Sequence, residues 1–169
     1  SIALSNMSPN FKSIKVYDID KNILSTIKEI AKEYKFEKIQ TKLHDVRQPF
    51  PVNELNKFDV VLIDPPYTKS GSKLFIHRAV ELLKRDKTFS GKYILFNYGA
   101  GLRNPLDIIK IQDVITDYNL LIEDRINKYT RYHGAETVGS ASSMYVLKTT
   151  PQTDVSNKVL QEKIYTFED

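Results

Sequence analysis

The sequence predicts an α/β fold: a mostly parallel sheet that ends in an antiparallel hairpin. Three observations predict it. Strand-like segments are interleaved with segments of helical periodicity as far as Tyr118, which implies parallel strands joined by crossover helices. The last two strand-like segments have no helix between them, as expected of a hairpin at a sheet edge. An apolar run, Phe58-Asp59-Val60-Val61-Leu62-Ile63, stops at Asp64-Pro65-Pro66-Tyr67. In open α/β sheets the carboxyl end of such a strand is where ligands bind.

Each element has its own warrant. Residues 13–18, Ser-Ile-Lys-Val-Tyr-Asp, alternate as a strand does. Asp20 is placed to cap a helix in which Ile23, Leu24, Ile27, Ile30, Ala31 and Tyr34 recur at helical spacing. Residues 38–43 form a short strand, and a loop with Pro49 and Pro51 leads to the next. Residues 58–63 predict a buried strand, because β-branched and large apolar side chains fill both of its faces. The prolines then stop it, having no N–H for a ladder and restricting the residue before them. Leu74, Ile76, Ala79, Val80, Leu82 and Leu83 predict a helix over about 72–85. Residues 92–98 are a strand and 99–105 a loop. Leu106, Ile109, Val114, Ile115 and Tyr118 predict another helix. Residues 120–132 and 144–149 are the hairpin strands, joined by a polar, Gly-containing loop.

This order of elements resembles that of Rossmann-like methyltransferases, with helices on both faces of the sheet. Such folds open with a strand and a Gly-rich turn that cradles the donor, and neither is present here. The sequence begins inside an apolar stretch, Ile2-Ala3-Leu4, without an initiating Met. The expectation is a transferase domain over residues 1–150 that is N-terminally incomplete (a fragment, a processed product or half of a split domain), with a peripheral segment over 151–169. The alternative is a complete small domain with an unusual start.

The 169 residues suffice for one domain with a core, and 41% apolar content with mixed charge reads as globular. No run reaches the roughly 18 apolar residues of a membrane helix, and no signal-peptide pattern is present. The absence of cysteine excludes disulfides and thiolate metal sites, and the expected location is the cytoplasm. A formal charge of +4 permits an anionic partner without demanding one.

Asp64 carries the chemistry. An amine attacks a sulfonium carbon through its lone pair, so an aliphatic ammonium must first lose a proton, which a carboxylate can accept. For an aromatic amine, hydrogen bonds from N–H to Asp64 and to the Pro65 carbonyl favour a pyramidal nitrogen. Displacement at carbon needs alignment more than covalent help. The candidate catalytic set is therefore Asp64, Pro65, Pro66 and Tyr67. Tyr67 is available to stack on a planar base or to lie beside a sulfonium charge. Asp18 is placed to accept ribose hydroxyls, or to share helix capping with Asp20. Asp45 is placed to accept from an adenine amino group, or to satisfy turn amides. Asp18, Ile19, Asp45 and Val46 form the candidate donor-binding set, and Asp18, Asp45 and Asp64 are expected to line one edge of the sheet. His44, His77 and His133 lack metal-ligand spacing, and no metal site is expected. The segment Tyr129-Thr130-Arg131-Tyr132-His133 suits base stacking or a half-buried edge strand equally.

Three stretches carry a further resemblance: Val16-Tyr17-Asp18-Ile19-Asp20, His44-Asp45-Val46-Arg47-Gln48-Pro49, and Asp59 through Asp64-Pro65-Pro66-Tyr67-Thr68 with Gly71 and Leu74-Phe75. They resemble the catalytic domain of branched-chain polyamine synthases, the N4-bis(aminopropyl)spermidine synthase family. Gly134 to Ser140 is compatible with it, and the likeness covers about residues 1–150. It implies transfer of aminopropyl groups from decarboxylated S-adenosylmethionine to a secondary amine of spermidine. It also implies that Asp64 to Tyr67 hold the acceptor, while Asp18 and Asp45 hold the donor nucleoside. The family's acidic Gly-Asp-Asp-Asp-type stretch and its N-terminal winged-helix domain precede the part matched here. The expected partner is a small polyamine, with no membrane, and a homodimer is open. Two alternatives stand beside this one. The first is an S-adenosylmethionine-dependent amino-methyltransferase acting on a nucleobase of DNA or RNA, since such enzymes share the Asp-Pro-Pro-Tyr turn. The second is a degenerate domain without turnover.

Overall fold

Asp20 starts the first helix as its side chain dictates, accepting from the amides of Asn22 at 2.7 Å and Ile23 at 3.4 Å. The computed structural model describes residues 11–85, 90–99, 105–131, 141–156, 160 and 164. They belong to two compact units, Ser1–Gln48 and Pro49–Asp169. In the first unit, β1 (Ile14–Asp18) pairs in parallel with β2 (Ile39–Leu43), from Ile14 opposite Ile39 to Asp18 opposite Leu43. The crossover is α1 (Lys21–Glu33), which buries Leu24 and Ala31. Lys35 follows α1 with φ 55°, and the Phe36 amide returns to the Ala31 carbonyl at 2.7 Å, a left-handed stop that closes the last turn.

The second unit contains β3 (Val60–Ile63), α2 (Lys69–Leu82), β4 (Tyr93–Tyr98), α3 (Pro105–Asp117), β5 (Leu120–Arg131) and β6 (Ala141–Thr149). Its four-stranded sheet has the order β3-β4-β6-β5. β3 and β4 are parallel, with Ile63 opposite Phe96. β6 is antiparallel to both β4 and β5, so the expected closing hairpin is present. Residues 132–140, where the sequence predicts the end of the first hairpin strand and the connection, lie outside the described residues, Tyr132 and His133 among them.

One sheet face carries Ile63, Ile94, Phe96, Tyr98, Tyr145 and Leu147. These pack with Ile76 and Ala79 of α2 and Ile111, Val114 and Ile115 of α3 in a single buried cluster. Both helices of this unit therefore lie on the same face of its sheet. β3 differs from expectation. Val60 and Leu62 are 50% and 56% exposed while Ile63 is 7% exposed. β3 is the outermost strand of its sheet and only its helix-side face is covered; an all-apolar pattern does not reveal which face will be. Phe58 leaves the strand to form an isolated bridge with Leu83. That bridge ends α2 at Leu82, three residues before the predicted end. α2 also begins at Lys69 rather than near 72. Thr68 caps it through Oγ1, which accepts from the Gly71 amide at 2.9 Å, and its first turn holds no apolar residue to show the period. Beyond β6, Val155 packs against the core and Ile164 is buried. Among the described residues no helix is long and apolar enough to cross a membrane.

A polar chain ties α2 to the residue that follows α3. His77 Nδ1 lies 3.1 Å from the Tyr118 hydroxyl and Nε2 3.3 Å from Glu81, which also accepts from Arg78 at 2.8 Å. Tyr118 donating to Nδ1, with Nε2–H donating to Glu81, satisfies both ring nitrogens of a neutral imidazole. Burial pushes the His77 pKa below its ordinary value, outweighing the pull of Glu81 in the other direction; Arg78 and Lys73 add to the fall. The unfolded chain then binds a proton before the folded one does, so stability is complete above the unfolded value near 6.5 and is lost as pH falls through the lower folded value. Urea midpoints should therefore decline below about pH 6.5, and His77→Gln should flatten that decline. An unchanged slope in the variant would remove His77 from the acid response.

Candidate active site

Ile63 is the last β3 residue, and the two prolines after Asp64 turn the chain directly into α2. Pro65 is buried, Asp64 exposed, and Pro66 and Tyr67 are half-buried. The Thr68 amide bonds back to the Pro66 carbonyl at 2.7 Å, a tight turn that fixes the entry to the helix. Gly71 lets that turn sit closely: a Cβ there would lie 2.9 Å from both the Pro66 carbonyl oxygen and Thr68 Oγ1. Thr68 Oγ1 also donates to the Ile164 carbonyl at 2.7 Å.

The seat for this turn is the carboxyl end of β4, where three successive residues each hold one part of it. Asn97, 5% exposed, donates from Nδ2 to Asp64 Oδ1 at 3.3 Å. Tyr98 donates its hydroxyl to the Tyr67 carbonyl at 3.4 Å, and the two rings meet edge to face at 5.3 Å. Burial, with Asp107 adding to it, pushes the Tyr98 pKa up to about 12, so the hydroxyl keeps its proton as a donor. Gly99 makes room for Tyr67: a Cβ at Gly99 would fall inside contact with Cε2 of that ring, 2.8 Å from Cζ and 3.0 Å from Cδ2. The register explains the grouping. Ile63 is opposite Phe96 in parallel strands, so Asp64 continues opposite Asn97 with its side chain on the same face. Sequence reasoning missed Asn97, Tyr98 and Gly99. The available signal was an asparagine near the end of an otherwise apolar strand, beside the strand that bears Asp64.

In the first unit, Asp18 is the last residue of β1 and Asp45 lies two residues past the end of β2, and the His44 amide between them bonds to the Asp18 carbonyl at 2.9 Å. Asp18 Oδ1 accepts from the Asp20 amide at 2.8 Å and so supports the turn into α1. Ile19 is 62% exposed, and Val46 is half-buried. Asp45 is engaged by a partner that sequence reasoning did not assign to it. Arg47 reaches Oδ2 through Nη2 at 2.7 Å and both oxygens through Nε at 3.0–3.1 Å, and its amide reaches Oδ1 at 2.9 Å. These hydrogen bonds hold the Asp45 carboxyl below the usual carboxylate range. Asp18 and Asp45 share the strand-end edge of the first unit's sheet, and Asp64, expected on the same edge, follows β3 in the sheet of the second unit. No group of three or more His, Asp or Glu side chains placed to hold a metal occurs among the described residues.

The family model for the branched-chain polyamine synthase A C-terminal domain matches residues 1–168. The chain belongs to the branched-chain polyamine synthase family. Two similar proteins come from Methanocaldococcus jannaschii. An uncharacterized protein is 33% identical over 165 residues, covering 97% of this chain and 39% of the relative. An N(4)-bis(aminopropyl)spermidine synthase is 29% identical over 171 residues, covering all of this chain and 47% of the relative. The chain thus spans less than half the length of these two relatives. The branched-chain polyamine synthase from Thermus thermophilus, solved with N4-aminopropylspermidine and 5'-methylthioadenosine, superposes with a TM-score of 0.70. The match covers 90% of this chain and 48% of that one at 17% identity, which speaks to the fold alone. The fold is the Rossmann-like one shared with S-adenosylmethionine-dependent methyltransferases.

Proposed function

We propose that this chain carries the catalytic domain of an aminopropyltransferase. It would move an aminopropyl group from decarboxylated S-adenosylmethionine to a secondary amine of a polyamine such as spermidine. One observation carries the proposal: in a chain of this family, the Asp64 carboxylate is exposed at a strand end and gripped from behind by a buried Asn97. An exposed carboxylate with a fixed orientation suits a cationic acceptor that must both bind and lose a proton. Membership in a family whose named members include an N(4)-bis(aminopropyl)spermidine synthase supports the same substrate class.

The donor supplies an electrophilic methylene beside a sulfonium. Asp64 binds the acceptor ammonium and takes one proton, exposing the nitrogen lone pair. The new N–C bond forms as the C–S pair returns to sulfur, leaving the neutral thioether 5'-methylthioadenosine. The secondary amine thereby becomes a tertiary ammonium that keeps its remaining proton, and the product is branched at that nitrogen. The Pro65 carbonyl is a second acceptor for the amine, and Tyr67 offers an aromatic face to a cation. Asp18 with Ile19, and Asp45 with Val46, would hold the donor nucleoside by carboxylate hydrogen bonds and apolar contact. The Arg47 clamp fixes the Asp45 carboxylate for that task.

Mass spectrometry of the product formed from spermidine and each donor tests this reading. A branched tetra-amine formed only from the decarboxylated donor is the expected result. Methyl transfer from S-adenosylmethionine to a nucleobase, with no polyamine product, would replace it with the methyltransferase reading.

A further inference from the structure

Asn97 and Ser142 are among the few buried polar side chains of the second unit, 5% and 2% exposed, and they touch. Ser142 Oγ lies 2.7 Å from Asn97 Oδ1, and Asn97 Nδ2 lies 3.3 Å from Asp64 Oδ1. The three residues form a line from just past the end of β3, across β4, to β6, on the sheet face opposite the helices of this unit. Asn97 is opposite Met144 in the antiparallel pair, which puts Ser142 diagonally beside it on the same face.

Burying an amide and a hydroxyl costs stability unless both are bonded, and an apolar pair of similar size would pack there without that cost. The orientation of the amide is also determined. A flipped Asn97 would aim its carbonyl oxygen at a carboxylate oxygen, an acceptor facing an acceptor, and would leave the Ser142 proton without its partner. We infer that Ser142 is a positioning residue: by donating to Asn97 Oδ1 it fixes the amide so that its NH2 holds the Asp64 carboxylate in the orientation used for transfer. The activity readout of this inference rests on the proposed function; the contact itself does not.

The test has two arms on the purified protein. In the kinetic arm, Ser142→Ala should lower kcat about 10-fold, since small misplacements of a reacting group are costly, while KM for the donor stays within about 2-fold. Ser142→Thr, which restores the hydroxyl, should recover most of the loss. A fall in melting temperature with kcat unchanged would overturn the inference, because the pair would then be structural only. In the spectroscopic arm, the side-chain amide protons of Asn97 are followed by 15N–1H NMR. They should shift when Asp64→Asn removes the charged acceptor, and should broaden or average in Ser142→Ala. Amide signals indifferent to both changes would overturn it. If the wild-type chain transfers no aminopropyl group, the proposed function fails and the spectroscopic arm alone decides the positioning claim.

Discussion

Replacing Asp64 with asparagine is expected to lower aminopropyl transfer by about 10²-fold or more, the usual contribution of a positioned general base. The amide is nearly isosteric. Its carbonyl oxygen can still accept from Asn97, so the seat built by β4 is retained. Asp64 is exposed, and exposed substitutions that leave no buried group unpaired change stability by about 0.5 kcal/mol or less. The variant should therefore unfold at the wild-type denaturant concentration while its turnover collapses. Donor affinity should change little, because the proposal gives Asp64 to the acceptor. Wild-type turnover in Asp64→Asn would take this carboxylate out of the mechanism, whatever the family membership implies.

The second large effect is expected from adding a single methyl group. In Gly99→Ala the new Cβ would occupy the space of the Tyr67 ring. Tyr67 is already packed edge to face on Tyr98 and tied to it through its carbonyl, so the ring must swing outward or the turn must shift. Overpacking of this kind costs about 1–3 kcal/mol, and a displacement near 1 Å at a reacting centre costs about 10²-fold in rate. A double-mutant cycle separates the two consequences. If Gly99 serves only to seat Tyr67, then Gly99→Ala added to Tyr67→Ala should cause no further loss in kcat/KM. Fully additive losses would mean that Gly99 acts through something other than that ring.

These two residues differ in how well they can be read without the structure. The strand end before Asp64 was legible because two prolines after an apolar run have no N–H for a ladder and stop the strand. Asp20 as a helix cap and the closing hairpin were legible for similarly local reasons: a capping side chain and an unbroken strand-like pattern act within a few residues. Gly99 was not legible, since its meaning lies in a contact with Tyr67, 32 positions earlier in the numbering. Asn97 required knowing that β4 is the neighbour of β3 and that Ile63 pairs with Phe96. The start of α2 was missed because Lys69-Ser70-Gly71 carries no apolar period, and its cap works through a hydroxyl whose hydrogen bond is visible only in space. The exposure of Val60 and Leu62 was missed for a different reason. Pattern alone tells that a strand is apolar on both faces, not that both are covered. The Arg47 clamp on Asp45 was not legible, because two loop residues two positions apart face each other only when the turn brings the guanidinium round to the carboxylate.

Aminopropyl transfer, as against methyl transfer, turns on which donor the protein accepts. An isothermal titration with decarboxylated S-adenosylmethionine, run beside one with S-adenosylmethionine, decides it. A carboxylate that binds a cationic acceptor, the role proposed for Asp64, attracts the amine and would repel an added carboxylate on the donor. The decarboxylated donor is expected to bind more tightly, by about 10-fold or more, a difference near 1.4 kcal/mol. Tighter binding of the carboxylated donor would contradict it.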